Sequence, residues 1–324
     1  MKPRFVSLLV VIFVFLLFVY LNNTSRFFVP QTEGPFLVAH RGLGQTFPMD
    51  GIAWDTNTAS RVYPPEHPYL ENTLPSMKAA FAAGADIVEL DIHPTVDGHF
   101  AVFHDWVVDY RTDGEGLTRE HTLAELKRLD IGFGYTADGG ETYPFRGKGT
   151  GLLPSLDEVL TRFPEGQFLI HIKSNEESDG VQLAEYLKTF PEQHRNQLAV
   201  YGGNRPVAAF SAHLPNVRTM SRASLQRSLL AYMAVGWTGF VPASARNTQL
   251  HVPLRYARFL WGWPHRLVDR MSQANTRVIV VLGDGTWSEG FDTPSDLTAL
   301  PESFAGGIWT NRIDRIGPIV SSAK

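Results

Sequence analysis

The stretch Asp86-Ile87-Val88-Glu89-Leu90-Asp91-Ile92 decides how this chain is read. Its β-branched and apolar residues predict a buried strand. Along a strand, residues i and i+2 point to one face. Glu89 and Asp91 therefore point together, while Val88, Leu90 and Ile92 point the other way. Two carboxylates buried side by side repel, and both lose hydration. A divalent cation neutralises such a pair, and carboxylate oxygens suit magnesium or calcium. The alternative is an edge strand with a solvated acidic face, which the apolar flanks disfavour.

Further strands are predicted on either side, at Phe36–His40, Phe100–His104, Phe168–Lys173, Leu198–Tyr201, Val217–Met220, Gly239–Pro242, Arg277–Leu282 and Gly307–Thr310. Helices are predicted at Thr73–Ala83, Thr122–Leu129, Ser155–Arg162, Gly180–Thr189, Ser224–Met233 and Pro264–Gln273. This alternation predicts a parallel α/β architecture. The 324 residues allow one large domain, since an α/β barrel takes about 250 residues. Nine strands are one more than an eight-stranded barrel needs. Residues 43–70 and the glycine-rich 132–152 interrupt the rhythm and read as long loops.

Composition narrows the function classes. Charged residues make up 19% and the net charge is −4, so no basic excess points to nucleic acid as a partner. Cysteine is absent, which excludes disulfides, thiolate catalysis and cysteine-ligated zinc. The run from Phe5 to Leu21 is interrupted only by Ser7. It would span about 25 Å as a helix, enough for a membrane span. Lys2 and Arg4 precede it and keep that end cytoplasmic. No small-residue cleavage pattern follows it. The expectation is an uncleaved single-pass transmembrane anchor at residues 1–22, a polar linker at 23–35, and an extracytoplasmic domain at 36–324.

Several polar residues sit where predicted strands end, which is where an α/β barrel builds its active site. His40-Arg41-Gly42 closes the first strand. His104 and Asp105 close the strand after the Asp97-Gly98 turn. His171 and Lys173 share one face of their strand, toward the barrel interior. Glu71 precedes a helix capped by Asn72 or Thr73, and by itself reads as a cap-region charge. The set suits in-line attack at phosphorus. One histidine takes a proton from the nucleophile and the other protonates the leaving oxygen. Metal and cationic side chains stabilise charge on the phosphoryl oxygens.

These residues, in this order, resemble the glycerophosphodiester phosphodiesterase family. The matching segments are His40-Arg41-Gly42, Glu71-Asn72-Thr73, Gly84-Ala85-Asp86 with Glu89-Leu90-Asp91, and His104-Asp105 with Arg111-Thr112. Leu129–Gly132, Leu153–Val159 and Gly307–Arg312 extend the resemblance over residues 36–316. It implies a TIM (β/α)8 barrel and hydrolysis of glycerophosphodiesters to an alcohol and glycerol phosphate. It implies His40 and His104 as the acid-base pair, Arg41 as a phosphate contact, and Glu71 lining the substrate or metal side of the pocket; Lys173, inward by alternation, is expected to bind substrate. Glu89 and Asp91 would hold the divalent metal. Where the family carries Glu-x-Lys, this chain has His171-Ile172-Lys173. As a third ligand, His171 would shift preference from magnesium or calcium toward manganese or zinc. The loop between His40 and Glu71 is longer than the family's.

The anchor, Leu70–Thr73 and the aromatic segment Tyr256–Pro264 resemble a membrane-associated branch, some of whose members are lysophospholipase D enzymes. Substrates are thus expected to be a glycerophosphodiester or a lysophospholipid, with the bilayer as a partner. Packing within the barrel is the alternative for Tyr256–Pro264. A catalytically inactive, membrane-tethered binding module is the non-enzymatic alternative.

Overall fold

A computed structural model describes residues 3–28, 34–286 and 289–322. Its strands are β1 Phe36–Ala39, β2 Ile87–Pro94, β3 Phe100–Val102, β4 Phe168–Ile172, β5 Leu198–Gly202, β6 Arg218–Ser221, β7 Gln249–Pro253, β8 Arg277–Val281 and β9 Gly307–Thr310. Eight of them lie in the order β6-β5-β4-β2-β1-β9-β8-β7. All pairings along that path are parallel. A parallel bridge from Thr219 to Thr248 brings the β6 edge to the start of β7. The result is a nearly closed eight-stranded barrel of the TIM type. The surplus strand is β3, which pairs antiparallel with β2 outside the barrel path.

Alternation along each strand sorts the core into two shells. Val38, Ile87, Leu169, Ala199, Ile279, Val281 and Trp309 fill the barrel interior. Their neighbours, among them Leu37, Val88, Leu90, Ile170, Val200 and Ile308, pack outward against the helices. The interior residues sit low in the barrel. Two positions further along, the same inward face carries His40, Glu89, His171 and Tyr201, with Asp91 two beyond Glu89. A dry apolar floor therefore supports a polar layer at the carboxyl ends of the strands.

One predicted strand is not formed. At Gly239–Pro242, Gly239 adopts φ +88° at the end of a 3-10 turn, and Pro242 precedes another. The seventh barrel strand is Gln249–Pro253. Gln249 and His251 alternate with the outward Leu250 and Val252 and obscure its apolar signal. The helices Asn204–His213 and Ile313–Ser322 were also not predicted. The two long stretches read as loops are more than surface connections. Ala59, Val62 and Leu70 from the first pack with Tyr135 and Phe145 from the second, and with Ala101, Phe103 and Val108, to form a second small core.

The helix Pro3–Asn23 is as predicted, and its side chains lie outside the barrel core. Of the expected linker, residues 29–33 lie outside the described residues. Its first residues are tied to the barrel. Asn23 Nδ2 donates to the Trp237 carbonyl at 2.8 Å, and Ser25 Oγ donates to the Gly262 carbonyl at 3.1 Å.

Helix packing relies on close approaches at glycine, and Gly180 makes one of them. Gly180 is buried where the helix Glu177–Lys188 meets the start of Asn204–His213. A Cβ at Gly180 would lie 2.0 Å from the Pro206 carbonyl oxygen. Gly180→Ala is therefore expected to lower stability by about 1–3 kcal/mol, despite alanine's better helix propensity. Urea unfolding of the two proteins measures this, and an unchanged midpoint would contradict the packing described.

Candidate active site

The β1 turn places the first group. Arg41 and Gly42 both take positive φ, at +57° and +75°, which turns the chain sharply over the barrel mouth. A side chain on Gly42 would collide with the Ser76 hydroxyl at 2.7 Å. His40 follows the registered pair Ala39–Val88, which brings its Nε2 to 3.9 Å from Glu89 Oε2. Its Nδ1 lies 2.6 Å from Asn311 Oδ1. The Asn311 amide nitrogen is itself spent on Asp292, at 2.8 Å. Asn311 therefore presents an acceptor, Nδ1 of His40 carries the proton, and Nε2 keeps a free lone pair. Burial first, and then the Arg41 charge, hold the imidazole pKa well below its usual value.

The carboxylate pair lies on β2, with Glu89 and Asp91 0% and 1% exposed. Glu89 accepts from Tyr201 Oη at 2.6 Å and from the Arg41 amide at 3.0 Å. Asp91 accepts from Asn72 Nδ2 at 3.0 Å and contacts His171 Nδ1 at 2.8 Å. Asn72 adopts φ +59°, a conformation that asparagine tolerates. Register explains the grouping, because Asp91, His171 and Tyr201 lie level on three adjacent strands. The His171 ring stacks on Tyr201 at 4.3 Å. Burial, reinforced by Asp91, pushes the Glu89 carboxyl up to about 8. Burial would raise Asp91 too, but Lys173, His104 and Arg41 hold it well below the usual carboxylate range. The two carboxyl pKa values are thus driven apart, that of Glu89 upward and that of Asp91 downward.

Cations ring the pair. Arg41 Nε lies 3.3 Å from Asp91, and its Nη1 donates to Glu71 at 2.9 Å. Lys173 Nζ is 3.6 Å from Asp91. Glu71 is buried between Arg41 and Arg111, and those two charges outweigh burial and hold its pKa down. Glu71 is thus more than a helix-cap charge.

His104 arrives by another route. β3 pairs with β2 through Val102 and Ile92, and the Phe103 amide donates to the Asp91 carbonyl at 3.1 Å. His104 Nδ1 contacts Asp105 Oδ1 at 2.6 Å, and Asp105 Oδ2 accepts from Arg111 Nε at 2.8 Å. Arg111 is buried and also donates to Tyr135 Oη and Thr58 Oγ1. The second core thereby grips the group that orients His104. Burial, with Arg41 and Lys173, lowers the His104 pKa to about 4.

All eight residues singled out from sequence gather around the mouth of the barrel: His40, Arg41, Glu71, Glu89, Asp91, His104, His171 and Lys173. Oxygen or nitrogen atoms of Glu89, Asp91 and His171 lie within 4.8 Å of one another. Two carboxylates and an imidazole, converging in a buried pocket, are a donor set that fits a divalent ion. Sequence reasoning did not single out Tyr201, Asn311 and Asp292, nor the roles of Asp105 and Arg111. The Tyr201 signal was available, since it ends a predicted strand with the same inward parity as Asp91.

Residues 40–281 match the Glycerophosphoryl diester phosphodiesterase family. The glycerophosphodiester phosphodiesterase of Caldanaerobacter subterraneus subsp. tengcongensis is 41% identical over 103 residues, 32% of this chain and 39% of that protein. A Bacillus subtilis protein of the same name is 35% identical over 149 residues, 45% of this chain and 48% of that one. The chain thus spans between two-fifths and one-half of the length of these relatives. Among solved structures, a glycerophosphodiester phosphodiesterase from Agrobacterium tumefaciens superposes with a TM-score of 0.60 at 19% identity, covering 89% of this chain and 99% of that one. An Oleispira antarctica phosphodiesterase, solved with the product sn-glycerol-3-phosphate, gives 0.54 at 20% identity, covering 90% and 96%. A match over most of the barrel, on the strands that carry the clustered side chains, means that this chain belongs to the glycerophosphoryl diester phosphodiesterase family.

Proposed function

We propose that the protein is an enzyme that hydrolyses glycerophosphodiesters to an alcohol and glycerol phosphate. One observation carries this reading. Two histidines, each with Nδ1 committed to a fixed partner, flank a buried carboxylate pair ringed by Arg41 and Lys173. With Nδ1 committed, each ring keeps Nε2 for proton transfer. One imidazole accepts the proton of the attacking water, and the other donates to the departing alkoxide. The depressed pKa values suit the accepting role. For the donating role, the anionic phosphodiester must raise the pKa as it binds, because a nearby negative charge favours imidazolium. Arg41 and Lys173 hold the phosphoryl oxygens, and Glu71 keeps Arg41 charged and aimed.

Glu89, Asp91 and His171 are the residues that would hold a divalent ion. When bound, such an ion supplies positive charge where the phosphoryl oxygens become more negative. Magnesium or calcium suits the carboxylates, and the imidazole extends the choice to manganese or zinc. The helix Arg4–Asn23, of mean hydropathy 2.8 and unburied, is proposed as a single-pass anchor, with Arg4 on the cytoplasmic side and the barrel outside. Anchorage beside lipids gives lysophospholipids as a second substrate class. A panel of glycerophosphocholine, glycerophosphoethanolamine, glycerophosphoinositol and lysophospholipids, with product analysis, separates the two. No turnover of any of them would leave the inactive binding module.

His40→Ala and His104→Ala are each expected to lower kcat by about 10²-fold or more with an unchanged circular dichroism spectrum. Near-normal turnover in either variant would remove that residue from the mechanism. Chelation is expected to abolish activity and added divalent ions to restore it. His171→Glu should move the preference toward magnesium or calcium, since a carboxylate oxygen replaces a nitrogen. An unchanged ranking across a metal series would show that His171 is not a ligand. For the anchor, the full chain is expected to sediment with membranes and resist alkaline extraction. Recovery of a soluble chain lacking the helix would show a cleaved signal sequence instead.

A further inference from the structure

Residues 193–268 contain nine arginines and neither aspartate nor glutamate, in a chain of net charge −4. Within that basic quarter of the chain, residues 228–245 contain no charge at all. Leu230, Met233 and Phe240 are 68%, 49% and 56% exposed, and Trp237 is half-buried. These side chains would ordinarily be buried or replaced on a free surface. Among them, Trp237 adjoins the end of the N-terminal helix. The carbonyl of Trp237 accepts from both Asn22 and Asn23, and its ring meets Phe15 edge-on at 5.5 Å. Phe15 lies eight residues before Asn23, about 12 Å back along the helix axis. The Trp237 ring is thus beside the anchor, below the level at which the helix ends.

We propose that the face formed by Leu230, Met233, Trp237 and Phe240 is embedded in the headgroup layer of an anionic phospholipid bilayer, beside the anchor. The proposal rests on the anchor reading and adds to it: the barrel does not hang free on a tether but is partly sunk in the leaflet. Geometry supplies the depth, because a helix that crosses the bilayer carries Trp237 in with it. Charge supplies the lipid, because arginines border the apolar face and no acid in residues 193–268 offsets them. Arg246 lies 5.8 Å from the Phe240 ring. The patch continues through Trp261, whose Nε1 donates to the Met233 carbonyl at 2.8 Å. Beyond it, Arg255 and Arg258 line a cavity of about 450 Å³ floored by Leu254, Trp263 and Leu282. Tyr256 and Phe259, 50% and 64% exposed, lie in the same segment. An apolar face with an arginine rim is the arrangement that binds anionic membrane surfaces.

The natural absence of cysteine makes the test direct. Single cysteines placed by Met233→Cys, Phe240→Cys, Phe13→Cys and Val96→Cys in the full chain are labelled with a fluorophore. Val96 is 63% exposed and follows β2, on the other side of the barrel. The proteins are reconstituted in vesicles of phosphatidylcholine and phosphatidylglycerol, with a nitroxide near the glycerol end of one acyl chain. Probes at 233 and 240 are expected to lose emission about twofold or more, as for groups about 5–10 Å below the surface, while the probe at 96 is unchanged. Quenching at 13 without quenching at 233 and 240 would overturn the proposal and leave the anchor intact, whether that face is covered by a second copy or by nothing. Quenching at none of these positions would overturn both. Equal quenching at 96 would also overturn the proposal, because embedding would not be specific to this face.

Discussion

Two carboxylates placed side by side inside a barrel are the constraint on which the rest of the structure depends. Glu89 and Asp91 are cut off from water, so their charge has to be met by protein groups or by a bound cation. The protein groups come from many parts of the chain. Arg41 comes from the turn after β1, Asn72 from the cap before a helix, Lys173 from just past β4, and Tyr201 from β5. None of these contacts is local, so the strand register of the barrel has to be correct before the pair is tolerable. The same arrangement leaves the pair with unmet demand, since burial and the Asp91 charge push the Glu89 carboxyl above the usual carboxylate range.

The two histidines are oriented from opposite sides of this centre by unrelated pieces of chain. His40 is set by Asn311, which Asp292 fixes. His104 is set by Asp105, which Arg111 fixes, and Arg111 is held by Thr58 and Tyr135 from the two long inserted stretches. The second core therefore has a structural purpose beyond its own packing. It converts flexible connections into a rigid mount for one imidazole. An arginine as buried as Arg111 is costly unless paired, and its pairing with Asp105 and Glu71 couples that mount to the carboxylates and to Arg41.

Much of this was legible in the sequence because period-two alternation is strict. Glu89 with Asp91, and His171 with Lys173, announced a shared face, and the structure places both pairs there. Thr73 and Ser155 announced helix starts, and each forms a capping box. What escaped notice did so for physical reasons. β7 carries Gln249 and His251 on its inward face, so its apolar content falls below that of the Gly239–Pro242 run, which reads as a strand and forms none. Asn311 and Asp292 act through a turn that only closure of the barrel brings to His40, and no local pattern encodes such a contact. Arg111 stood in a recognisable motif, but its burial depends on Thr58 and Tyr135, far away in sequence.

The end of the N-terminal helix has a consequence for how the barrel stays where it is. The last carbonyls of a helix lack partners within it and carry partial negative charge. Arg270 Nη2 donates to the Asn22 carbonyl at 2.7 Å, and its Nη1 donates to Asn23 Oδ1 at 3.0 Å. Thr24 and Ser25 are bound in turn to Arg266, Gly262 and His265. Residues 22–25 are thus held by their backbone and side chains together. Separating the barrel from its helix therefore has to begin with the release of an arginine 248 positions away in the chain, which makes the junction between helix and barrel a property of the folded state and not of the local sequence alone.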